Sequence, residues 1–276
     1  MGRSQTHFQL PDSLQESPEE TLMTIKGYCS AAVCVCVLFC VTLCVSAENL
    51  VIYGDNSYPP IIYLDNDQTA GILPAIFARL EKDTGDTYEL RLLPWKRALK
   101  NAQNSDGGIT NISRNEAREK FYDFSLPIYD DDISLVVLKG HEFDFNTLKD
   151  LQGKKLGGLS GASYGEVVDQ AISNGELHVE RENGGQSRLL KLLAGRIDVA
   201  IIGNGIAGLE VILASDPGLE ANRNQFVMLP KPLVRDPLHL AFSKAMNVQP
   251  ALERFNKALV ALKRTDEYQQ LIGIKP

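Results

Sequence analysis

From Asn49 onward, apolar runs of strand length alternate with segments of helical period, and this alternation limits the folds open to the chain. Leu50-Val51-Ile52-Tyr53 is the first run, and the loop Gly54 to Pro60 leaves it. Ile72, Ile76 and Leu80 mark one face of a helix predicted over 71–82, with Gly85 placed to stop it. Tyr88 to Leu92 alternates as a strand that ends at Pro94-Trp95, residues 96–103 read as helix, and Gly107 returns the chain to a strand. Strand–helix–strand order predicts a mainly parallel sheet with right-handed crossovers and ligands at the carboxyl ends of its strands. The loops carrying Asp55 and Tyr58, Trp95, and Thr110 to Arg118 all leave such ends, so they should converge.

A second unit starts near Ile133. Strands are expected at Ser134–Leu138, Lys155–Leu159, Val199–Ile202, Phe226–Leu229 and Leu238–Phe242. Helices are expected through Ile172, through Leu189, Leu190 and Leu193, and from Pro250, where Leu252, Phe255, Leu259 and Leu262 share a core face. Gln269 to Ile272 closes the chain. The chain crosses between units near 129–133 and 229–237, which gives a first lobe of 48–130 plus 236–276 and a second of 131–235.

With 276 residues, a net charge of −7 and 44% hydrophobic residues, the chain has core enough for one large or two small domains. The acidic balance, with no basic stripe among aromatics, argues against nucleic acid. All five cysteines lie between positions 29 and 44, inside or beside an apolar run, Ala31 to Val45, broken only by Thr42. Lys26 before it and Val45-Ser46-Ala47 after it read as a secretory signal cut after Ala47. The alternative is an uncleaved anchor, which needs ~20 apolar residues. Residues 1–22 are polar and out of place before such a signal, so Met23 is the expected start. The chain beyond Ala47 has no cysteine and must be held by its core.

Chemistry concentrates in Gly107 to Tyr129. Thr110, Asn111 and Ser113 stand just before Arg118, and a guanidinium beside hydroxyls and free backbone N–H groups can hold a carboxylate by two parallel charge-assisted bonds. The other reading of Arg118 is a solvated side chain paired to Glu116 or Asp123. Gly161-Ala162-Ser163 opens a predicted helix whose free N–H groups attract anions, and Ser163 caps that helix, binds, or does both. His141, His178 and His239 each stand alone, and the chain beyond Ala47 contains no cysteine nucleophile, so no metal, cofactor or catalytic set is expected.

Taken in order, GDNSYPP at 54–60, the serine/threonine–arginine–DFS-x-x-Y run at 110–129, LGGLSGAS at 156–163, AGRIDVAI at 194–201 and the amphipathic last helix resemble the bacterial extracellular solute-binding proteins of family 3. These are periplasmic receptors of polar amino acid ABC importers, and the lysine/arginine/ornithine-binding type is the one this chain is aligned with. The resemblance implies a periplasmic-binding-protein-like α/β fold, two lobes joined by a two-crossover hinge, in the type II Venus flytrap manner. It implies a monomer that closes on a small carboxylate-bearing ligand and meets an inner-membrane ABC permease. By position, Arg118 clamps the carboxylate, helped by Ser113 and the Thr110-Asn111 backbone, while Ala162 and Ser163 meet the ligand from the second lobe. Tyr58 packs on the ligand or within its own loop, and Asp55 takes a distal cation or bonds its own turn. Trp95 is a stacking wall or a core residue, and Arg97 reaches the cleft or the outer helix face. Two departures stand out: Leu73 replaces a common aspartate, and the aspartate that usually takes the α-ammonium is Gly203, or Asn204 by a one-residue shift. The alternatives are a sensory module for a membrane partner and an enzyme on the same scaffold.

Overall fold

The computed structural model describes residues 47–273 together with Met1 and Gly2, so the expected signal segment lies outside the described residues. Among the described residues no helix is long and apolar enough to cross a membrane.

The chain opens with β1 (Asn49–Asp55) and a small antiparallel sheet of β2 (Ser57–Tyr58), β3 (Ile62–Asp65) and β4 (Gln68–Ala70). The helix Ile72–Thr84, β5 (Thr87–Leu93), the helix Trp95–Gln103 and β6 (Gly108–Ser113) come next. A four-residue helix, Glu116–Glu119, leads through β7 (Tyr122–Phe124) into the long β8 (Tyr129–Leu138). After it stand β9 (Lys155–Leu159), the helix Glu166–Ser173, β10 (His178–Glu182), the helix Gly185–Leu193 and β11 (Val199–Ile202). The helix Gly205–Ala214, a short helix Pro217–Ala221, β12 (Phe226–Met228), β13 (Val234–Ser243) and the helices Gln249–Leu262 and Asp266–Leu271 complete the described chain.

The main sheet runs in the order β10-β9-β11-β8-β13-β6-β1-β5. At its two ends the strands are parallel, β1 with β5 and β6, β9 with β10 and β11, as strand–helix alternation requires. In the middle, β8 and β13 are antiparallel, and each changes partner along its length. Tyr129 to Ile133 of β8 pair with β13, after which Ser134 to Leu138 pair with β11 and β12. Val234 to Leu238 of β13 pair with β8, and the rest pairs with β6 and β7. These two strands therefore tie two halves together.

Buried side chains separate the same way. Ile52, Phe77, Tyr88, Phe255 and Leu259 share one core, with Phe77, Tyr88 and Phe255 in edge or tilted ring contact. Leu135, Val137, Leu156, Val199 and Ile201 share another. The carboxyl-terminal helix thus returns to the first lobe, where its apolar face is covered.

Most expected elements are present with ends shifted by a residue or two. The hinge strands are longer than expected because their polar halves, Asp130 to Asp132 and Arg235-Asp236, break the apolar alternation. The strand His178–Glu182 carries too many charges to read as a strand, and it sits at the sheet's edge, where charge blunts unwanted pairing.

Candidate functional site

A cavity lies where the carboxyl ends of the strands meet, walled by both lobes and the hinge. From the first lobe, the end of β1 supplies Asp55, β2 supplies Tyr58, the first turn of the helix Trp95–Gln103 supplies Trp95, and β6 supplies Asn111 and Ser113. Asn111 adopts a left-handed conformation, φ 48°, where the register of β13 against β6 shifts between His239 and Ala241. Its side-chain oxygen accepts the N–H of Asp55 at 3.2 Å, which ties two strand ends together. Asp55 is 4% exposed, and burial pushes its carboxyl up to about 6 despite N–H bonds from Ser57 and Asn56 and the field of Arg188.

The hinge adds two more buried carboxylates. Asp131 and Asp236 face each other across β8 and β13, an unfavourable arrangement for like charges. Each has its own donors: Asp131 accepts from the Tyr58 hydroxyl and, at 2.5 Å, from the Asn204 N–H, and Asp236 accepts from the Ser113 hydroxyl at 2.6 Å. Burial raises Asp131 to about 6; it raises Asp236 to about 7, where the bond from Ser113 opposes it and the nearby Asp131 charge adds to it. Of the two, Asp236 lines the cavity.

Tyr58 also accounts for the glycine where an aspartate was looked for. A Cβ at Gly203 would lie 1.6 Å from the Tyr58 hydroxyl oxygen, so the tyrosine fills the space that a side chain there would need. Asn204 does not line the cavity; its side-chain oxygen accepts from the Tyr129 hydroxyl at 2.7 Å.

The second lobe contributes the turn after β9, with Ala162, Ser163 and Tyr164. The helix expected to open at Gly161 begins at Glu166 instead, because Gly161 and Gly165 both take positive φ and hold the chain in a turn. Ser163 therefore caps no first turn there. It donates to Asp169, and its hydroxyl accepts from the Asn115 amide of the first lobe at 3.1 Å.

The remaining expected residues lie elsewhere. Arg97 is exposed, and Thr110 is fully buried away from the cavity. Arg118 is half-buried and outside the cavity lining: its two terminal nitrogens donate to the Ser113 carbonyl at 2.7 Å and the Gly161 carbonyl at 3.3 Å, and burial pulls its pKa down.

Several lining residues went unread in the sequence, among them Tyr164, Asp236 and Arg188. Arg188, four residues into the helix Gly185–Leu193, is 5% exposed and donates to the Ile201 carbonyl. Among leucines it looks like one polar position on a core helix. The available signal was its spacing four before Leu192, which puts both on the buried face.

A sequence profile of the bacterial extracellular solute-binding proteins, family 3, matches residues 50–273. The chain belongs to this family. The L-cystine-binding protein TcyJ of Escherichia coli (strain K12) is 27% identical over 180 residues, spanning 64% of this chain and 66% of that relative, just under two thirds of its length. An ancestral arginine-binding protein solved with arginine superposes with a TM-score of 0.66 at 22% identity, covering 81% of this chain and 96% of its own. A histidine kinase sensor domain with similarity to periplasmic binding proteins superposes with a TM-score of 0.67 at 20% identity, covering 81% and 93%. These neighbours agree with the α/β, periplasmic-binding-protein-like fold. Neither the cystine-binding relative nor the arginine-binding neighbour singles out the lysine/arginine/ornithine type, and the family is made of solute-binding proteins.

Proposed function

We propose that this chain is a periplasmic receptor that captures a small carboxylate-bearing solute of the amino-acid class by closing its lobes, then delivers it to an inner-membrane ABC permease. The observation that carries the reading is the charge inside the cavity: the carboxylates of Asp55 and Asp236 and the guanidinium of Arg188 are all buried there, between two lobes and a hinge. Opposite charges out of water suit a solute that carries both signs, since each buried group gains from a partner of opposite charge. Trp95 and Tyr58 add apolar faces for the solute's body. Because both lobes form the walls, a bound solute favours the closed arrangement by its differential affinity.

A thermal-shift panel of L-amino acids, opines, polyamines and dicarboxylates tests the reading. A solute that binds the native state alone raises the melting temperature by mass action. Amino acids should give the shifts, and a panel in which polyamines alone do so would refute a carboxylate-bearing ligand. The likeness to a sensor domain favours a second reading, reporting to a membrane partner. Release of the protein by osmotic shock supports the transport receptor, whereas retention in the membrane fraction supports the sensor.

A further inference from the structure

We infer that the Ala47–Glu48 peptide bond is the processing site, and that the α-ammonium freed at Glu48 pairs with Asp86, pinning the start of the mature chain to its last long helix. The inference rests on the secretory reading above and adds where the new chain end is held. Three segments meet there, at the opposite end of β1 from Asp55 and the cavity. Asp86 follows the glycine that ends the helix Ile72–Thr84, and its side chain is fully buried. The fork of Arg254, from the helix Gln249–Leu262, donates to both Asp86 oxygens, at 2.9 and 2.8 Å. The same guanidinium reaches Glu48 Oε1 at 3.1 Å. The Glu48 backbone N–H donates to Asp86 Oδ1 at 2.9 Å, and the Glu48 carbonyl accepts from the Thr87 N–H at 2.8 Å.

Charge does not balance in this group. One guanidinium serves two carboxylates, those of Asp86 and Glu48, so a single negative charge is left over. Glu81, on the neighbouring helix, adds another negative group as it accepts from the Tyr88 N–H at 2.7 Å. A buried carboxylate is costly unless its charge is matched. An amide N–H at Glu48 offers Asp86 only a dipole, whereas an ammonium in the same place offers a full charge. Hydrolysis supplies that charge. Water, with a signal peptidase as catalyst, splits the Ala47–Glu48 bond and leaves a carboxylate on Ala47; the amine left on Glu48 takes up a proton near neutral pH. The nitrogen need not move, because the bonds to Asp86 and Thr87 already fix residue 48 on both sides. A cut one bond earlier would carry the charge ~3.8 Å further along the chain, and a cut one bond later would remove Glu48 itself. Val45 and Ala47 supply the small residues that a signal peptidase requires before its cut.

The test is to express the full 276-residue chain in a secreting bacterium, recover the protein, and read its intact mass and first residues. The chain should begin at Glu48; any other start overturns the inference. The folded protein is then treated at pH 7 with N-hydroxysuccinimidyl acetate, which acylates only neutral amines, and label at the chain start is followed by mass spectrometry. Asp86 holds the amine charged, so acylation should run about 10-fold slower than in the urea-unfolded chain. Burial alone would also slow it, and two variants separate the causes. Arg254→Met leaves both carboxylates to the ammonium and should slow labelling further, whereas Asp86→Asn should restore it. An asparagine inserted between Ala47 and Glu48 keeps every charged side chain and moves only the amine. Its labelling should be as fast as in the unfolded chain, and its melting temperature about 2–4 °C lower. If either substitution does not fold, the insertion decides, and unchanged labelling and melting in it overturn the inference. A chain that starts at Glu48 with a freely reactive amine loses the ion pair but leaves the receptor reading standing. A chain retained uncut in the membrane removes the secretory reading together with the inference.

Discussion

The two halves of the cleft are built by different means. The first-lobe half comes from side chains at successive strand ends, Asp55, Trp95, Asn111 and Ser113, each next to the loop that delivers it. The second-lobe half depends on missing side chains: Gly157 admits the stem of Arg188, and Gly203 admits the Tyr58 hydroxyl from the other lobe. A strand end presents a group directly, whereas a glycine specifies nothing until the side chain that fills its space is known. This contrast can be tested by filling the gaps and by removing the side chains that occupy them.

The largest effect should come from Gly203→Ala. Its methyl group would lie within bonding distance of the Tyr58 hydroxyl oxygen, so the ring must leave, at a cost of about 1–3 kcal/mol for overpacking. Urea unfolding measures the loss, and the same substitution in a Tyr58→Ala background should cost far less. Equal costs in the two backgrounds would show that the gap is not kept for the tyrosine.

Tyr58→Phe is the next step down. It removes the donor to Asp131 but keeps the ring, and should lower stability by about 1–2 kcal/mol, the usual range for a bond to a buried polar group. Because the Asn204 N–H remains as a donor to Asp131, this loss should be smaller than that for Gly203→Ala.

The hinge carboxylates give a pH test of intermediate size. Unfolded aspartates titrate near ~3.9, whereas burial holds Asp131 at about 6 and Asp236 at about 7 in the folded chain. Between those values the folded state binds more protons than the unfolded one, so stability is greatest below the lower limit and falls as pH rises through 6 and 7. The melting temperature of the ligand-free protein should therefore drop by several degrees from pH 5 to pH 8, and Asp236→Asn should flatten the curve. A curve that rises across this window would contradict the buried, proton-holding hinge.

The smallest effect should come from Arg97→Ala. The side chain is exposed and away from the cavity, so both stability and affinity should stay within about 0.5 kcal/mol of the wild type. A larger loss of affinity would bring the outer helix face into the site.

Much of the scaffold can be read before any coordinates, because parallel β–α order leaves a period-2 or period-3.6 trace in each element. The strands around Ile52, Leu156 and Ala200 and the helix through Phe255 and Leu259 show such traces clearly. The convergence of Asp55, Tyr58, Trp95 and the β6 residues is legible too, since topology sends those loops to one edge. The hinge strands were only half legible. Asp131 and Asp236 give no sign of pairing until β8 and β13 are aligned, as they lie 105 positions apart in the register that sets them opposite each other.

By itself, then, the amino-acid order determined the alternating elements, the two crossovers and which loops meet, because short-range periodicity and chain connectivity settle those. Only the folded molecule decided that Tyr58 fills the space at Gly203, that Arg118 spends its nitrogens on backbone carbonyls, and that Arg188 faces the cavity. The reason is distance along the chain: whether a polar side chain finds a partner depends on atoms brought close by closure of the lobes, and local pattern carries no record of them.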